Sequence, residues 1–360
     1  MVKTHNGQQL ILVINPGSTS TKVALFSAEE PKVREVLTHR AEELAACPHV
    51  WDQFELRRAA IQEFVGRHGV DLSTLAAVAG RGGLFRSVKG GTYLVNERML
   101  ADARANLQGE HVSNLGCALA FEFASQAGVN AYVTDPVSVD EFEPLARYSG
   151  HPLIERRALA HALSIHEVAR RSAAAVGKPL AESSFVVAHL GGGISIAPVK
   201  GGRIIDVNDA SSDGPFSPER TGGLPLQPFI TLCFSGRYSE KEMRSLVMGK
   251  GGLIAYLGTS SAEEVERRIG SGDQAAREVY EAMAYQIAKE IGAMATVLGG
   301  QVDGIVLTGG LARSSLLADW VRQRVEFIAP VTVMPGEFEM EAMVAGVLRV
   351  LRGEEPALVY

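Results

Sequence analysis

A polar loop, Asn15-Pro16-Gly17-Ser18-Thr19-Ser20-Thr21-Lys22, joins two short β-favouring runs near the start of the chain. The runs cover residues 10–14 and 22–26, and no helical pattern follows the loop, so this stretch predicts a β-hairpin. Its backbone N–H groups, hydroxyls and single ammonium suit a phosphate chain that carries several negative charges. A Walker A loop would need a second glycine before the lysine and a helix after it, which excludes a classical P-loop. Taken alone, an ordinary polar hairpin turn remains the alternative.

The same hairpin pattern returns in the second half of the chain. Residues 185–188 and 194–197 favour strands, and they flank His189-Leu190-Gly191-Gly192-Gly193. Three consecutive glycines are costly in folding entropy unless a tight turn or a close ligand requires them. Two similar hairpins in the two halves indicate an internal duplication.

A third glycine turn follows the strand pattern at residues 304–308. It reads Gly309-Gly310-Leu311-Ala312-Arg313-Ser314, and a helical pattern comes after it. Glycines at the start of a helix leave a flat surface on which an adenine ring could rest. Each glycine turn is a weak signal by itself, but two on hairpins and one on a strand-to-helix turn form a specific combination.

Length and composition favour two domains. The chain has 360 residues, of which 46% are apolar, and helical patterns such as 158–176 and 275–298 alternate with strand patterns. These features predict an α/β fold with two related lobes. The apolar stripe along 275–298 predicts a core helix and not a ligand surface.

Charge and cysteine usage exclude several classes of protein. The net charge is −6 and no basic stripe is visible, so nucleic acid is not expected as a partner. The three cysteines, Cys47, Cys117 and Cys233, make no metal spacing, and an odd number argues against a disulfide framework. The apolar run at 10–14 is too short for a signal peptide or a membrane span. We therefore expect a cytoplasmic protein with no membrane partner.

The three glycine turns together resemble the two phosphate motifs and the adenosine motif of the acetokinase family, within the actin-like ATPase and sugar kinase superfamily. The resemblance extends from Ile11 to about Gly346 and is most specific over residues 15–22 and over 189–193 continuing through 213–225. The latter segment resembles butyrate kinases more than acetate kinases, which carry Asn where Gly192 stands and Asp where Gly223 stands.

The resemblance implies two ribonuclease-H-like lobes with a nucleotide cleft between them. Residues 1–155, joined by a C-terminal helix at 340–360, would form the lobe for the acyl and phosphate groups, and residues 156–339 the nucleotide-binding lobe. The implied activity is reversible transfer of the ATP γ-phosphoryl group to butyrate or a related short or branched-chain fatty acid, giving acyl phosphate and ADP. ATP or ADP and Mg²⁺ are the implied cofactors, and a homodimer or higher homo-oligomer is the implied assembly. The implied ATP- and phosphate-binding residues are Asn15, Gly17, Ser18, Ser20, Lys22, His189, Gly191, Gly192, Gly193, Gly309, Gly310 and Arg313.

Two arginines match the catalytic positions of the family. Phosphoryl transfer to a carboxylate passes through a loose transition state, so alignment and positive charge are the main requirements. By resemblance, Arg81 and Arg220 hold the substrate carboxylate and the transferring phosphoryl group. A surface salt bridge is the alternative role for each, although small glycine neighbours are expected to leave both side chains accessible.

Three residues are assigned to magnesium. Asp135 ends an apolar strand, where related enzymes that phosphorylate alcohols use an aspartate as base. A carboxylic acid with a pKa of about 4.3 is already ionised at neutral pH, so Asp135 is instead predicted to position Mg²⁺, with a turn cap as the alternative. Asn15 and a C-terminal glutamate resemble the pair that binds Mg²⁺ in the family, and Glu339 is selected by position from Glu337, Glu339 and Glu341.

Three histidines match family positions: His111, His161 and His189. By resemblance, His161 donates a hydrogen bond to the transferring phosphoryl group, whereas His111 organises the site. Arg157 and His161 are four residues apart at the start of the helical pattern at 158–176 and are therefore predicted to share one helix face. A common anion site is feasible on that face.

An apolar acyl pocket is predicted from Leu84, Phe85, Val88 and Val137. This mixture favours a monocarboxylate with an apolar tail over the polyol of a sugar or glycerol kinase. An acetate or propionate kinase and a non-catalytic nucleotide switch of the same fold remain alternatives. One methylene in an apolar pocket is worth only about 1–3 kcal/mol, so we expect a broad preference for four- and five-carbon acids.

Overall fold

The computed structural model describes residues 10–360. Within them the strands are β1 (Leu10–Pro16), β2 (Ser20–Ser27), β3 (Glu30–Thr38), β4 (Leu75–Arg81), β5 (Thr92–Leu94), β6 (Asn130–Thr134), β7 (Tyr148–His151), β8 (Ile154–Glu155), β9 (Ser184–Leu190), β10 (Ile194–Lys200), β11 (Arg203–Ile204), β12 (Gly304–Gly309), β13 (Val331–Pro335) and β14 (Leu358–Val359). The α-helices are α1 (Ala41–Ala45), α2 (Phe54–Arg67), α3 (Glu97–Arg104), α4 (Asn114–Ala127), α5 (Ala162–Ala175), α6 (Leu226–Cys233), α7 (Glu240–Val247), α8 (Gly252–Leu257), α9 (Ala262–Gly270), α10 (Gln274–Val297), α11 (Ser315–Val325) and α12 (Glu339–Leu351).

The described chain divides into two compact units. The first contains the described residues up to Asp140 together with Phe338–Tyr360, and the second is Glu141–Glu337. The structure therefore places residues 141–155 in the second unit, whereas the sequence-based division at 155/156 placed them in the first. The reason is that this segment bonds within the second unit, where Ile204 N donates to Glu141 Oε2 at 2.8 Å and Glu143 N donates to Ile205 O at 3.0 Å.

The first unit is built on a seven-stranded sheet in the order β14-β5-β6-β4-β1-β2-β3. Strands β1, β2 and β3 form an antiparallel meander, whereas β4 and β6 run parallel to β1. All seven residues of β4 are buried, as expected of a parallel strand covered on both faces. The β1–β2 pairing sets Asn15 opposite Lys22, which confirms the predicted hairpin.

The second unit contains a five-stranded sheet in the order β11-β10-β9-β12-β13, and a small β7–β8 hairpin. Here β9, β10 and β11 are antiparallel, and β12 and β13 run parallel to β9. This is the order and direction of β3-β2-β1-β4-β6 in the first unit. The predicted α/β fold with two related halves is thus confirmed.

Helix α10 packs through one face into the core of the second unit. Its residues Met283, Ile287 and Ile291 are completely buried, together with Tyr280. Their helical spacing confirms the predicted core role of this stripe. Among the described helices, none has both the length and the apolar character that crossing a membrane requires.

Candidate active site

Three predicted site residues lie at one edge of the sheet in the first unit. Strands β1, β4 and β6 are parallel, and their register pairs Ile14 with Gly80 and Arg81 with Thr134. The carboxyl ends of these strands therefore bring Asn15, Arg81 and Asp135 to the same edge. All three residues are buried.

Glu339 joins this edge from α12, a helix that packs against β1, β4 and β6. Asn15 Nδ2 donates to Glu339 Oε2 at 2.7 Å, and Arg81 Nε lies 3.5 Å from Glu339 Oε1. Glu341 instead pairs with Arg34. Glu339, the glutamate selected from the sequence, thus contacts Asn15.

The Asn15–Glu339 pair offers the hard oxygen donors that Mg²⁺ prefers. No cluster of three or more His, Cys, Asp or Glu side chains that could hold a metal occurs in residues 10–360. Two oxygen-bearing side chains fit an ion that keeps water and phosphate oxygens as its other ligands, as Mg²⁺ commonly does.

Arg81 presents an unsatisfied donor. Its side chain is only 7% exposed, and its Nη1 atom is buried without a hydrogen-bond partner. The expectation that glycine neighbours leave this side chain accessible is wrong, because a Cβ on Gly82 would lie 2.4 Å from Pro136 Cβ and one on Gly83 would lie 2.3 Å from Asn114 Oδ1. These glycines let the strand end pack closely. A buried charged donor without a partner is costly, and an anionic ligand oxygen would satisfy it.

Asp135 has a left-handed backbone conformation, with φ of 40°. Aspartate tolerates this region better than most residues, and such conformations concentrate at functional sites. Its Oδ1 accepts a hydrogen bond from Gly91 N at 2.7 Å, and its own N–H donates to Gly91 O at 2.9 Å. The carboxylate thus holds the neighbouring loop, and its assignment to magnesium stays a prediction.

The loop between β1 and β2 is tight. Gly17 N donates to Ser20 O at 2.7 Å, and Ser18 and Thr19 are exposed at its tip. Lys22 lies in β2 and is half-buried. The loop therefore presents hydroxyls and backbone to solvent on a short, closed turn.

The residues predicted to line an acyl pocket differ in exposure. Phe85 is completely buried and packs edge-on against Tyr360, with ring centroids 5.8 Å apart. Leu84, Val88 and Val137 keep part of their surface exposed. Phe85 consequently supports this segment from within the core of the unit, and the other three present apolar surface.

His111 is exposed, and its tautomer follows from its contacts. Ser113 N donates to His111 Nδ1 at 3.2 Å, and Ser113 Oγ lies 2.7 Å from the same atom. Because Nδ1 accepts from the backbone N–H, the neutral ring carries its proton on Nε2.

In the second unit, two glycine turns lie side by side. Strands β9 and β12 are parallel and pair His189 with Thr308, so the Gly191–Gly193 turn and the Gly309–Gly310 turn follow at the same sheet edge. Gly309 has φ of 90°, and a Cβ there would lie 2.3 Å from Leu190 O. Glycine is therefore required where the two turns meet. Arg313 is exposed at the end of the short 3₁₀ turn Gly310–Arg313.

His161 and His189 form a stacked pair. Their ring centroids are 4.1 Å apart at an interplanar angle of 13°, and His161 Nδ1 lies 2.9 Å from Ser195 Oγ. Ser195, which sequence reasoning missed, pairs with His189 across β9 and β10. Since α5 begins only at Ala162, the prediction that Arg157 and His161 share a helix face is wrong.

Arg220 lies against the glycine triplet. Its Nη1 donates to Ala210 O at 3.0 Å. A Cβ on Gly193 would lie only 2.4 Å from Arg220 Nη1. The third glycine therefore makes room for the guanidinium. Burial lowers the pKa of Arg220, although Glu219 and Asp209 oppose the shift.

Comparisons with known proteins identify the family of this chain. A model of the acetokinase family matches residues 145–334. "Probable butyrate kinase 2" of Caldanaerobacter subterraneus subsp. tengcongensis is 50% identical over 350 residues, which cover 97% of this chain and 99% of that protein. "Butyrate kinase 2" of Clostridium acetobutylicum is 47% identical over 351 residues, with the same coverage.

Solved structures share the fold. The acetate kinase of Porphyromonas gingivalis superposes with a TM-score of 0.78 at 19% identity, covering 95% of this chain and 100% of that one. A propionate kinase from Francisella tularensis gives a TM-score of 0.72 at 18% identity, covering 94% and 98%. The family model spans more than half of the chain and the sequence relatives span nearly all of it, and so the chain belongs to the acetokinase family.

Proposed function

We propose that this chain is a butyrate kinase, which reversibly transfers the γ-phosphoryl group of ATP to butyrate or a related short or branched-chain fatty acid. The observation that carries the proposal is the buried, unsatisfied Nη1 of Arg81, a cationic donor beside the Asn15–Glu339 pair. Relatives that match over nearly their whole length are named butyrate kinases, which supports butyrate over shorter acids.

Arg81 would bind the acid. Its Nη1 donates to a carboxylate oxygen, while its Nε stays beside Glu339. The other carboxylate oxygen attacks the γ-phosphorus, and the bond from that phosphorus to the β–γ bridging oxygen breaks. The products are acyl phosphate and ADP. Because the acid is already ionised at neutral pH, no residue is needed to remove a proton.

Asn15 and Glu339 would hold Mg²⁺, and Asp135 would position it from the end of β6, which β4 separates from β1. The ion, when bound, neutralises charge on the phosphate oxygens. Ser18, Ser20, Lys22 and the backbone of the first loop would then bind phosphate oxygens as hydrogen-bond donors.

The second unit has its own donors for phosphate oxygens. Arg220 and His161 donate to the equatorial oxygens of the transferring group, as a loose transition state requires. His161 keeps its orientation through Ser195 and its stacking on His189. The paired glycine turns would receive the phosphates and the adenine ring, with Arg313 beside them.

The acyl chain would lie on Leu84, Val88 and Val137, with Phe85 supporting them. Apolar contacts of this kind discriminate weakly between acids that differ by one methylene, by about 1–3 kcal/mol. The proposal is therefore a preference for four- and five-carbon acids.

A homo-oligomer, at least a dimer, and a cytoplasmic location complete the proposal. Helix α6 exposes large apolar side chains, with Leu226 72% and Ile230 48% exposed and Phe234 87% exposed just after its end. Patches of this kind are commonly covered by another subunit. Sedimentation of the wild type and of Phe234→Glu tests the proposed oligomer. The charged variant should shift towards monomer.

Hydroxylamine trapping tests the activity. The protein is incubated with Mg-ATP and, separately, acetate, propionate, butyrate, isobutyrate and glycerol, and acyl phosphate is captured as the hydroxamate. We expect the most hydroxamate from butyrate or isobutyrate and none without Mg²⁺. A best yield from acetate would favour the acetate kinase alternative, and no hydroxamate from any acid would refute a carboxylate kinase.

A further inference from the structure

Arg57, in α2, is the largest side chain that the structure buries completely. No carboxylate pairs with it in the described part of the chain. A buried cation without a counter-ion is costly, so its hydrogen bonds must compensate for the lost hydration. Burial lowers the pKa of Arg57 to about 10, and the side chain remains protonated at neutral pH.

Arg57 donates to Gln53 and to the 17–21 loop, which consists of the residues between β1 and β2 together with the first two residues of β2. Its Nη1 donates to Ser20 O at 3.0 Å and to Thr21 Oγ1 at 2.9 Å, and its Nη2 approaches Ser18 O at 3.4 Å. Gln53 Oε1 accepts from Nη2 at 2.8 Å and fixes the guanidinium plane. The Ser18 carbonyl and the Thr19 N–H belong to one planar, trans peptide unit and point in opposite directions. Because the carbonyl faces Arg57, the Thr19 N–H points away from Arg57, towards the exposed tip of the loop.

His39 holds the same loop through a second set of contacts. Its N–H donates to Thr19 O at 3.0 Å, and its Nε2 lies 2.8 Å from Thr21 Oγ1. Because Arg57 can only donate, the Thr21 hydroxyl accepts from Arg57, and the same oxygen shares a hydrogen bond with His39 Nε2 whose direction follows the tautomer of the ring. Burial, and then the charge of Arg57, lower the pKa of His39, which favours the neutral ring.

We propose that Arg57 is a positioning residue for nucleotide phosphates: its guanidinium sets the conformation of the 17–21 loop and places a fixed positive charge behind it. The inference rests on the proposed role of this loop in binding ATP. A charge held in a buried, low-dielectric position acts on phosphates more strongly than a solvated one and needs no reorganisation during the reaction. Arg57 itself does not touch the nucleotide.

Substitutions separate the geometry of the guanidinium from its charge. Arg57→Lys keeps the charge but not the planar fork, and Arg57→Met removes both. We expect kcat/KM for Mg-ATP to fall about 100-fold in Arg57→Lys, the usual size of effect for phosphates displaced by about 1 Å, and further in Arg57→Met. The KM for butyrate should stay within about twofold of the wild type, because Arg81 does not depend on this loop.

Arg58→Met is the matched control. Arg58 is the next residue of α2, is partly exposed and pairs with Glu55 at 2.8 Å, so its loss should leave both substrates' kinetics unchanged. If Arg57→Met does not fold, Thr21→Val removes the hydroxyl shared by Arg57 and His39 in a nearly isosteric side chain. It should also raise the KM for Mg-ATP selectively.

The inference is overturned if Arg57→Lys keeps wild-type parameters for Mg-ATP. It is also overturned if the variant loses activity equally towards both substrates in step with a lower Tm, since that pattern indicates a structural role only. If the wild type makes no acyl phosphate, the proposed function has failed, and ADP affinity measured by calorimetry then tests Arg57 separately. A wild-type affinity for ADP in Arg57→Lys would count against the proposal.

Discussion

Arg81→Lys is the sharpest perturbation of the proposed acid-binding site. The arginine uses Nε beside Glu339, at 3.5 Å, and leaves Nη1 buried and unsatisfied for the substrate. Lysine retains the charge, but its single ammonium cannot serve Glu339 and a substrate oxygen in the same planar arrangement. Loss of one charge-assisted hydrogen bond costs about 1.5–3 kcal/mol. At about 1.4 kcal/mol per tenfold, kcat/KM for butyrate should fall about 10- to 150-fold.

The assay is initial-rate formation of butyryl hydroxamate with each substrate varied in turn. The KM for Mg-ATP should change little, and the free energy of unfolding should stay within about 1 kcal/mol of the wild type, because the lost donor has no partner within the protein. Arg34→Met, which removes a half-exposed arginine paired with Glu341 in the same unit, is the control and should behave as wild type. Unchanged butyrate kinetics in a folded Arg81→Lys protein would refute the reasoning.

Three further changes test other parts of the site. Glu339→Gln should raise the Mg²⁺ concentration for half-maximal activity about tenfold, measured by Mg²⁺ titration, because a neutral amide is a weaker ligand; an unchanged titration would remove Glu339 from the metal. Gly309→Ala should lower the free energy of unfolding by about 2 kcal/mol or more in a denaturant titration, since the new Cβ meets Leu190 O at 2.3 Å and φ is 90°; wild-type stability would contradict that geometry. Burial raises the pKa of Asp213 from 3.8 to about 6, so its stabilising contribution is present below pH 3.8 and is lost as the pH rises through 6. Asp213→Asn should therefore stabilise the protein at pH 7.5 by about 1 kcal/mol and have little effect at pH 4, and an equal effect at both pH values would count against this assignment.

Sequence patterns predicted the parts of the fold that depend on local chemistry. The loop at 15–22 and the glycine triplet at 191–193 were recognisable as hairpins because short β-favouring runs flank them. The duplication followed from their similarity, and the shared strand order of the two sheets bears it out. The buried stripe of α10 was visible from its helical period.

Features set by tertiary packing were not predictable in the same way. Arg57 lies in a helix whose apolar periodicity is weak, so nothing in the sequence distinguished it from its partly exposed neighbour Arg58. Its burial depends on the loop carbonyls that it meets. Ser195 became significant only through the register that sets it beside His189.

Boundaries and glycine roles were also misjudged where distant contacts decide them. The helix predicted from residue 158 begins at Ala162, with His161 as its N-terminal cap. The glycines after Arg81 allow close packing against Pro136 and Asn114, whereas the sequence suggested accessibility. For these glycines the contacting residues lie more than 25 positions away along the chain.

Phosphorus NMR of the purified protein with Mg-ATP and butyrate tests the central claim most directly, because it follows the γ-phosphorus itself. The account predicts that the ATP γ signal is replaced by an acyl phosphate signal together with ADP, and that adding ADP to the isolated acyl phosphate regenerates ATP. Inorganic phosphate as the sole new product, or an unchanged ATP spectrum, would contradict the assignment of this chain as a carboxylate kinase.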